Sequence, residues 1–323
     1  MKDFFDGKSV LITGINGFVG SWLASELIRK NANVVGLIRD MNPKSNLFLS
    51  NAHEKSVIVK GSITNYETIN RILNEYEIEI CFHLAALATV PVANRNPRNS
   101  FEVNIRGTWN VLDACRNSAT VKGVIVASSD KAYGDKDSLP YTEEDSLSGK
   151  YPYDVSKACA DMIAQSYYHT YNVNCAISRC GNIYGGGDLH FSRIIPGTIK
   201  SVLSNEQPVI RSDGTFKRDY TYIKDIVLGY LSIAEALTSK NIGGHAFNLS
   251  SGAPITVLDL VNKIIKISGS EIKPNIMNEA KGEIKDQYLS NRKAKAILGW
   301  EPMYSLDEGL KETISWYKNY FKI

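Results

Sequence analysis

The stretch from Ser9 to Gly20 reads Ser-Val-Leu-Ile-Thr-Gly-Ile-Asn-Gly-Phe-Val-Gly, and it decides the fold. Its first five residues form an apolar run typical of a buried strand, and glycines follow at positions 14, 17 and 20 as a helical pattern begins. Glycines in such a turn let the backbone approach a pyrophosphate, whose charge the N-terminus of the helix can face. The stretch therefore predicts a dinucleotide site, with the spacing GxxGxxG in place of the commoner GxGxxG.

Short apolar runs alternate with longer amphipathic ones through the first half of the chain. The apolar runs predict strands at Ser9 to Thr13, Asn33 to Ile38, Val57 to Val59, Ile80 to Leu84, Val124 to Ser128 and Cys175 to Ser178. The amphipathic runs predict helices at Phe18 to Lys30, Tyr66 to Tyr76, Phe101 to Asn117 and Val155 to Tyr171. This alternation is typical of an α/β fold with a Rossmann-type doubly wound parallel sheet.

The alternation of strands and helices ends after about Asn182. It is followed by a Gly-rich loop, isolated helices and single short strands such as Pro208 to Arg211 and His245 to Leu249. This change predicts a smaller C-terminal substrate-binding lobe. We expect residues 1–181 to form the dinucleotide-binding domain and residues 182–323 to form the lobe. Because no Pro- or Ser-rich linker separates them, the boundary is soft, segments can interleave, and a cleft between the two is the expected binding place.

Composition indicates a small-molecule partner. The 323 residues are 43% hydrophobic and 22% charged, with a formal net charge of +3 and no Lys/Arg-rich block. These values exclude a disordered chain, and they provide no basic patch for nucleic acid or an anionic membrane. No apolar run approaches the roughly 18 residues of a bilayer span, so neither a nucleic-acid nor a membrane partner is expected.

The cysteines and histidines indicate neither disulfides nor a metal. Five cysteines are an odd number without a CxxC pair, which predicts reduced, packed thiols and a cytoplasmic location. The histidines at positions 53, 83, 169, 190 and 245 show no ligand spacing, so no metal is predicted.

The end of the second predicted strand carries two residues that bear on the choice of dinucleotide. Arg39 could hold a 2′-phosphate, whereas Asp40 could accept a hydrogen bond from a ribose hydroxyl. The residues alone leave NAD and NADP open.

Tyr153 and Lys157 stand four residues apart in a predicted helix, which places them on one face. An ammonium at that distance would lower the pKa of the phenol from its usual value of about 10 and make a base available. Ser129, Asp130 and Lys131 follow the strand that ends near Ser128, and strand C-termini are where open α/β sheets bind ligands. These five residues are the candidate catalytic set.

Taken together, the motifs resemble those of the extended short-chain dehydrogenase/reductase family over nearly the whole chain. The resemblance is carried by the glycines at 14, 17 and 20, His83-Leu84-Ala85-Ala86, Asn104, Ser129, Tyr153-x-x-x-Lys157, Arg179-x-x-Asn182, Arg218-Asp219-Tyr220 and the run from Lys293 to Pro302. Members of this family act mostly on nucleotide-activated sugars. The resemblance therefore implies a nucleotide-sugar substrate and NAD, with NADP as the alternative cofactor.

The resemblance also implies roles for the candidate catalytic residues. Tyr153 would be the base on the sugar 4-hydroxyl, Lys157 would anchor the nicotinamide ribose and tune Tyr153, and Ser129 would complete the triad. The sequence Ser-Asp-Lys at 129–131 resembles the variant of the CDP-glucose 4,6-dehydratases. In that branch Asp130 would protonate the departing 6-hydroxyl, and Lys131 would serve as base or proton relay at C5.

Further binding residues follow from the same resemblance. Besides Tyr153 and Lys157, the implied cofactor contacts are Gly14, Asn16, Gly17, Phe18, Val19, Gly20, Arg39, Asp40, Ser62, Ile63, Leu84, Ala85, Ala86 and Asn104. The implied substrate contacts are Asn182, Arg193, Arg211 and Arg218. Gly61-Ser62 stands where relatives commonly have Gly-Asp near adenine, and Arg218-Asp219-Tyr220 is the general family version of its motif.

Three alternatives remain open at this point. The chain could be a nucleotide-sugar 4-epimerase, a dehydratase acting on GDP- or UDP-sugars, or a binding module that keeps the fold without the chemistry. The third alternative is disfavoured because Tyr153 and Lys157 are both present. The resemblance further implies a homodimer that pairs the helices at Phe101 to Asn117 and Val155 to Tyr171.

Overall fold

The computed structural model describes residues 3–279 and 284–323. In chain order the strands are β1 (Ser9–Thr13), β2 (Asn33–Ile38), β3 (Ser56–Lys60), β4 (Ile80–His83), β5 (Gly123–Ala127), β6 (Cys175–Cys180), β7 (Asn182–Tyr184), β8 (Val209–Ile210), β9 (Lys217–Arg218), β10 (Tyr220–Tyr222), β11 (Ala246–Leu249), β12 (Ile255–Thr256), β13 (Asn275–Ile276) and β14 (Asp286–Gln287).

The helices are α1 (Phe18–Arg29), α2 (Asn46–Leu49), α3 (Tyr66–Glu75), α4 (Val90–Arg95), α5 (Pro97–Phe101), α6 (Gly107–Asn117), α7 (Pro152–Tyr171), α8 (Ile194–Leu203), α9 (Ile223–Ser239), α10 (Val257–Ile267) and α11 (Leu306–Phe321). Short 3₁₀ turns occupy Ala52–Lys55 and Asp130–Tyr133. π-helical turns occupy Glu102–Arg106 and Ala294–Leu298.

Seven strands form one parallel sheet in the order β11-β6-β5-β4-β1-β2-β3. The chain builds outward from β1 to β3, then returns to the other side of β1 and continues from β4 to β11. The strand order therefore reverses between β1 and β4, which is where such sheets form a crevice at their carboxyl ends. The predicted Rossmann-type doubly wound fold is confirmed.

Helices cover both faces of this sheet because alternate strand residues point to opposite sides. Val10 and Ile12 of β1 pack in one buried cluster with Leu23 and Leu27 of α1. Leu11 packs in the opposite cluster, which α3, α6 and α7 help to form. Two apolar layers therefore fix the register of β1, and with it the position of the turn that follows.

The C-terminal part holds smaller sheets, β12-β9-β14, β13-β8 and β10-β7. It also has a small apolar core of its own, formed by Val202, Ile210, Val261 and Ile265. However, α9 packs on the large sheet and β11 completes it. Segments thus interleave across the division predicted at residue 181, and that division stays a prediction.

Two predicted helices begin earlier than the sequence pattern indicated. The helix predicted from Phe101 is preceded by α5, which starts at Pro97, and a π-helical turn joins α5 to α6. The helix predicted from Val155 begins at Pro152. Proline has no N–H and its φ suits the first helical position, so it starts both helices. Tyr153 consequently lies in the first turn of α7.

No helix within residues 3–279 and 284–323 combines the length and the apolar character needed to cross a bilayer.

The turn between β1 and α1 yields a stability prediction with a matched control. Gly7 and Gly14 have nearly the same left-handed backbone, with φ of 76° and 74°. A Cβ on Gly7 would meet nothing within 4 Å, whereas one on Gly14 would lie 2.9 Å from Cα of Ala85. Gly7→Ala should lower the free energy of unfolding by about 1 kcal/mol through the left-handed conformation. Gly14→Ala should lower it by about 1–3 kcal/mol more through overpacking.

Urea unfolding of both variants measures these values. Equal losses would show that the approach of the turn to Ala85 does not constrain position 14.

Candidate active site

The turn from Gly14 to Gly20 forms a cradle that side chains would fill. A Cβ on Gly20 would lie 2.4 Å from the carbonyl oxygen of Gly14, and one on Gly17 would lie 3.1 Å from the same oxygen. Among the described residues, no side chain caps the N-terminus of α1, and its first turn carries no acidic residue. The backbone N–H groups of Phe18, Val19 and Gly20 are therefore available to an anion.

A chain of buried hydrogen bonds ties this turn to the end of β4. The Thr13 hydroxyl accepts from the N–H groups of Leu84 and Ala85, each at 3.1 Å. Its own proton is left for Nδ1 of His83 at 2.9 Å, so Nε2 carries the imidazole proton and donates to the Thr108 hydroxyl at 3.0 Å. The pKa of His83 is lowered to about 3, first by burial and then by the charge of Lys157. His83 is thus a neutral connector.

Asn104 holds the next part of the same loop. Its Oδ1 accepts from the N–H of Leu87 at 2.8 Å, and its Nδ2 donates to the Leu87 carbonyl at 3.2 Å and to the Ser156 hydroxyl at 2.9 Å. The amide of Asn104, a predicted cofactor contact, is therefore hydrogen-bonded to other residues of the protein. Asn104 positions the loop that contains Leu84, Ala85 and Ala86.

The remaining predicted cofactor residues lie at the ends of β2 and β3. Arg39 and Asp40 are exposed and pair with each other, with Arg39 Nε 2.6 Å from Asp40 Oδ2. Asn16 donates to the Asp40 carbonyl at 2.7 Å and so joins the cradle to this strand end. The Ser62 hydroxyl lies 2.8 Å from that of Thr64, and the backbone oxygen of Ile63 accepts from Asn110. The cradle, the uncapped helix and these strand ends fit a dinucleotide.

Ser129 and Asp130 form the turn that follows β5. The Ser129 hydroxyl donates to Oδ1 of Asp130 at 2.8 Å and accepts from the N–H of Lys131 at 3.2 Å. Asp130 is only 3% exposed. Its Oδ2 is buried and has no hydrogen-bond partner among the described residues. This carboxyl oxygen is therefore available to hydrogen-bond a bound molecule.

Burial raises the pKa of Tyr153 to about 12, and the charge of Asp130 adds to this effect. A hydrogen bond with Ser129 and the charge of Arg193 oppose it. The sequence-based expectation of a Tyr153 pKa below its usual value is therefore wrong. Desolvation of a buried phenol outweighs the nearby cations.

Lys157 lies one turn after Tyr153, as predicted, but its ammonium donates to the carbonyl of Ala127 at 2.7 Å. Burial lowers the pKa of Lys157 to about 8. The Ala127 carbonyl ends β5, so this hydrogen bond fixes α7 to the strand end that carries Ser129.

Lys131 contacts a residue that sequence reasoning missed. Its Nζ donates to Oε1 of Gln287, and Nε2 of Gln287 donates to the carbonyl of Asp130 at 3.1 Å. Gln287 lies in β14, outside every motif named above, and no local pattern of the sequence could have found it. Asp219 belongs to the Arg218-Asp219-Tyr220 motif, which did not predict a role for this carboxyl in the site.

Asp219 is fully buried, and burial together with the charge of Asp130 raises its pKa to about 7. Its Oδ2 accepts from the Ser250 hydroxyl and from the N–H of Leu289. Its Oδ1 has no hydrogen-bond partner in the described part of the chain. A second buried carboxyl thus lies within electrostatic range of Asp130.

The four predicted substrate contacts differ in how they are held. Arg193 donates to Asp188 at 2.9 Å, and its charge reaches Tyr153. Among the described residues, Arg218 donates to the carbonyls of Lys217, Ile284 and Lys285, which leaves part of its guanidinium for another acceptor. The remaining two lie in separate places: Asn182 donates to the Asp219 carbonyl, and Arg211 is exposed after β8.

A buried ion pair between Arg179 and Asp161 connects the elements that carry the catalytic residues. Arg179 of β6 donates twice to Asp161 of α7, at 2.8 and 2.9 Å. The same guanidinium donates to the Tyr133 hydroxyl at 2.9 Å, and that hydroxyl donates to Asn248 of β11. The pair therefore links α7, β6, β11 and the turn that carries Asp130.

Within the described ranges, no three His, Cys, Asp or Glu side chains lie together so as to hold a metal ion. All five cysteines are free thiols, and every one but Cys159 is buried.

Residues 11–313 match the family model described as GDP-mannose 4,6 dehydratase. A CDP-glucose 4,6-dehydratase of Salmonella typhimurium is 29% identical over 339 residues, which cover 99% of this chain and 93% of that protein. A UDP-glucuronate 4-epimerase of Thermodesulfobacterium geofontis is 30% identical over 321 residues, which cover 95% of each protein. Dehydratases and epimerases are thus equally similar to this chain.

The solved structure of a dTDP-glucose 4,6-dehydratase from Bacillus anthracis, in complex with NAD, has the same fold. It superposes with a TM-score of 0.85 at 25% identity and covers 97% of both chains.

The neutral state of His83 predicts how stability changes with pH. The ordinary pKa of histidine is 6.5, and that of folded His83 is about 3, so between these values only the unfolded chain binds the proton. The free energy of unfolding should therefore fall as the pH decreases below 6.5, and His83 should account for about 2 kcal/mol of this loss at about pH 5.

Denaturant unfolding across that pH range, in wild type and in His83→Gln, measures the contribution. His83→Gln should be less stable at neutral pH but should lose less stability on acidification. The exposed His169→Gln should retain the wild-type slope. A wild-type slope in His83→Gln would contradict a neutral, buried His83.

Proposed function

The chain belongs to the GDP-mannose 4,6-dehydratase family, a family of NAD-dependent nucleotide-sugar dehydratases and epimerases, and from this premise we propose that it is a nucleotide-hexose 4,6-dehydratase. One observation supports this choice over 4-epimerisation. The buried Asp130, with its free carboxyl oxygen, adjoins Lys131 and is hydrogen-bonded to Ser129, which bonds Tyr153. An epimerase needs a base at O4, whereas a dehydratase also needs an acid at O6 and a base at C5.

NAD is the cofactor, in agreement with the sequence-based prediction and with the NAD-bound solved relative. The Gly14 to Gly20 cradle and the uncapped N-terminus of α1 would hold its pyrophosphate. Leu84 to Ala86 and the ends of β2 and β3 would line the rest of the site. When bound, NAD supplies the hydride acceptor for C4 and the hydride donor for C6.

Tyr153 takes the proton from the sugar 4-hydroxyl as C4 is oxidised. Because its pKa in the protein alone is raised to about 12, the phenol must pass its own proton onward as the new one arrives. The Ser129 hydroxyl bonds Tyr153 and donates to Asp130, so it provides the path. The proton removed at O4 thereby reaches the carboxyl of Asp130.

The resulting 4-ketone acidifies the C5 proton, which Lys131 accepts as a neutral amine. Asp130 then protonates the 6-hydroxyl, which departs as water. The proton that leaves with the 6-hydroxyl replaces the one released at O4, because both pass through the carboxyl of Asp130. Lys131 returns its proton to C5 when C6 is reduced. Substrate loses one water, no net oxidation occurs, and Tyr153, Ser129, Asp130 and Lys131 all return to their starting states.

The proposed reaction converts CDP-glucose to CDP-4-keto-6-deoxyglucose. The Ser129-Asp130-Lys131 sequence and the similarity to a CDP-glucose 4,6-dehydratase support this choice of substrate. Arg193 and Arg218 are the proposed contacts for the diphosphate. The charge of Arg193 reaches Tyr153, and Arg218 pairs with Gln287, which contacts the catalytic turn. The second candidate is 4-epimerisation, favoured by the equal similarity to a UDP-glucuronate 4-epimerase.

A cytoplasmic homodimer is part of the same proposal. The helices α6 and α7 pack together and leave large apolar side chains exposed, including Trp109 at 42% and Met162 at 60%. A second copy of the chain would cover them.

Asp130→Asn tests whether dehydration is the reaction. An amide cannot donate the carboxyl proton, so loss of the 6-hydroxyl should slow by about 10²–10⁴-fold. C4 oxidation should slow as well, because the O4 proton loses its final acceptor, but it should stay measurable because Tyr153 is retained. Product mass and deuterium at C5 after turnover of CDP-glucose in heavy water are the measurements. The exposed Asp137→Asn, seven residues along, should behave as wild type.

The wild-type protein decides between the two candidate functions in the same assay. A product that retains its 6-hydroxyl and carries no solvent deuterium would replace dehydration with 4-epimerisation.

Tyr153→Phe tests the base at O4. Removing only the hydroxyl should reduce turnover at least about a hundredfold, the usual scale for an acid–base group, while nucleotide-sugar binding is kept. Tyr151→Phe makes the same change two residues earlier at an exposed position and should leave turnover unchanged. Turnover of Tyr153→Phe close to that of Tyr151→Phe would remove Tyr153 from the mechanism.

A further inference from the structure

The side chain of Gln287 contacts both members of the proposed acid–base pair. Its Oε1 accepts from Nζ of Lys131, and its Nε2 donates to the carbonyl of Asp130 at 3.1 Å. The residue is 0% exposed although it lies near the C-terminal end of the chain. One amide therefore spans two consecutive residues that belong to a distant turn.

The backbone around Gln287 is held on both sides, which fixes where its amide points. On one side, the carbonyls of Ile284 and Lys285 accept from the guanidinium of Arg218. On the other, Leu289 donates to Asp219 at 3.4 Å and accepts from Ser250 at 3.1 Å. β14 also pairs with β9. The segment 284–289 thus forms a strap from the proposed diphosphate contact to the catalytic turn.

An amide is the group that suits this position. It can accept from an ammonium and donate to a carbonyl at once, whereas a carboxylate cannot donate and an ammonium cannot accept. It also carries no charge, so it orients Lys131 without holding the lysine permanently protonated.

The charged groups around Lys131 make a neutral partner important. Asp130 precedes Lys131 in the turn, and Asp154 lies nearby in α7. The charge of Lys131 lowers the pKa of Asp154 against the effect of burial, whereas the charge of Asp130 raises it. Asp219 lies beyond Asp130 and interacts with it. A further negative charge at position 287 would add to these carboxyls and favour the ammonium form.

We infer that Gln287 is a positioning residue for the elimination step, orienting Lys131 toward C5 and holding the Asp130 backbone without adding a charge that would keep Lys131 protonated. This inference rests on the proposed dehydratase function for its chemical consequence. The placement of Lys131 by Gln287 can be tested without any reaction.

The first test measures Lys131 directly in the full-length protein. Brief acetylation with acetic anhydride over a pH series, followed by peptide mass spectrometry, reports the fraction of Lys131 in the amine form. Gln287→Glu should slow acetylation of Lys131 at least about tenfold at a fixed pH, because a carboxylate favours the ammonium. Gln287→Leu should accelerate it, because the half-buried ammonium loses an acceptor.

The acetylation rate of Lys131 should fall in Gln287→Glu and rise in Gln287→Leu, and these opposite changes distinguish a positioning role from damage to the fold. Partial unfolding would expose Lys131 and move both variants in the same direction. Gln207→Glu and Gln207→Leu, at an exposed glutamine, should leave Lys131 at its wild-type rate. Shifts of the same sign in both Gln287 variants, or no shift in either, would overturn the inference.

The second test adds CDP-glucose and heavy water. Gln287→Glu should slow C5 deuterium exchange at least about tenfold near neutral pH and recover as the pH rises, with C4 oxidation retained. Exchange at the wild-type rate and with the wild-type pH profile would also overturn the inference. If the wild-type protein shows no C5 exchange, the dehydratase function fails, whereas the acetylation result still decides whether Gln287 positions Lys131.

Discussion

The hydroxyl of Thr13 is the contact on which the site depends. Thr13 ends β1. Its hydroxyl accepts hydrogen bonds from two consecutive N–H groups after β4 and donates one to Nδ1 of His83. These bonds bring Ala85 against Gly14, so that any side chain at position 14 would collide with backbone. The crevice at the reversal of strand order is therefore closed to side chains and open to a ligand that presents a thin, anionic pyrophosphate.

Desolvation governs the ionisation of the groups around this crevice. Burial raises the pKa of Tyr153 and lowers that of Lys157 and of His83, and in each case it favours the neutral form. Neutral groups that already hydrogen-bond one another can pass a proton with little rearrangement. Tyr153 and Ser129 have this property, and Ser129 donates to the carboxyl of Asp130, whose other oxygen has no partner among the described residues.

The sequence predicted those features of the structure that depend on residues close together in the chain. Continuous apolar runs gave the parallel strands, the glycine spacing gave the cradle, and the spacing of Tyr153 and Lys157 placed them one turn apart. It did not predict the direction of the Tyr153 pKa, because burial is a property of the assembled fold. It also missed Gln287, whose contacts span 156 and 157 positions of the chain and leave no periodic signal.

The Arg179–Asp161 ion pair explains how separate elements keep one geometry. Asp161 shares α7 with Tyr153 and Lys157, whereas Tyr133, bonded to the same guanidinium, shares a turn with Asp130 and Lys131. A buried pair adds little net stability, because desolvation of its charges offsets their attraction. Its directional hydrogen bonds nevertheless permit few alternative arrangements. The pair thus fixes the base on the helix relative to the acid on the turn, while Gln287 holds the backbone of that turn at Asp130.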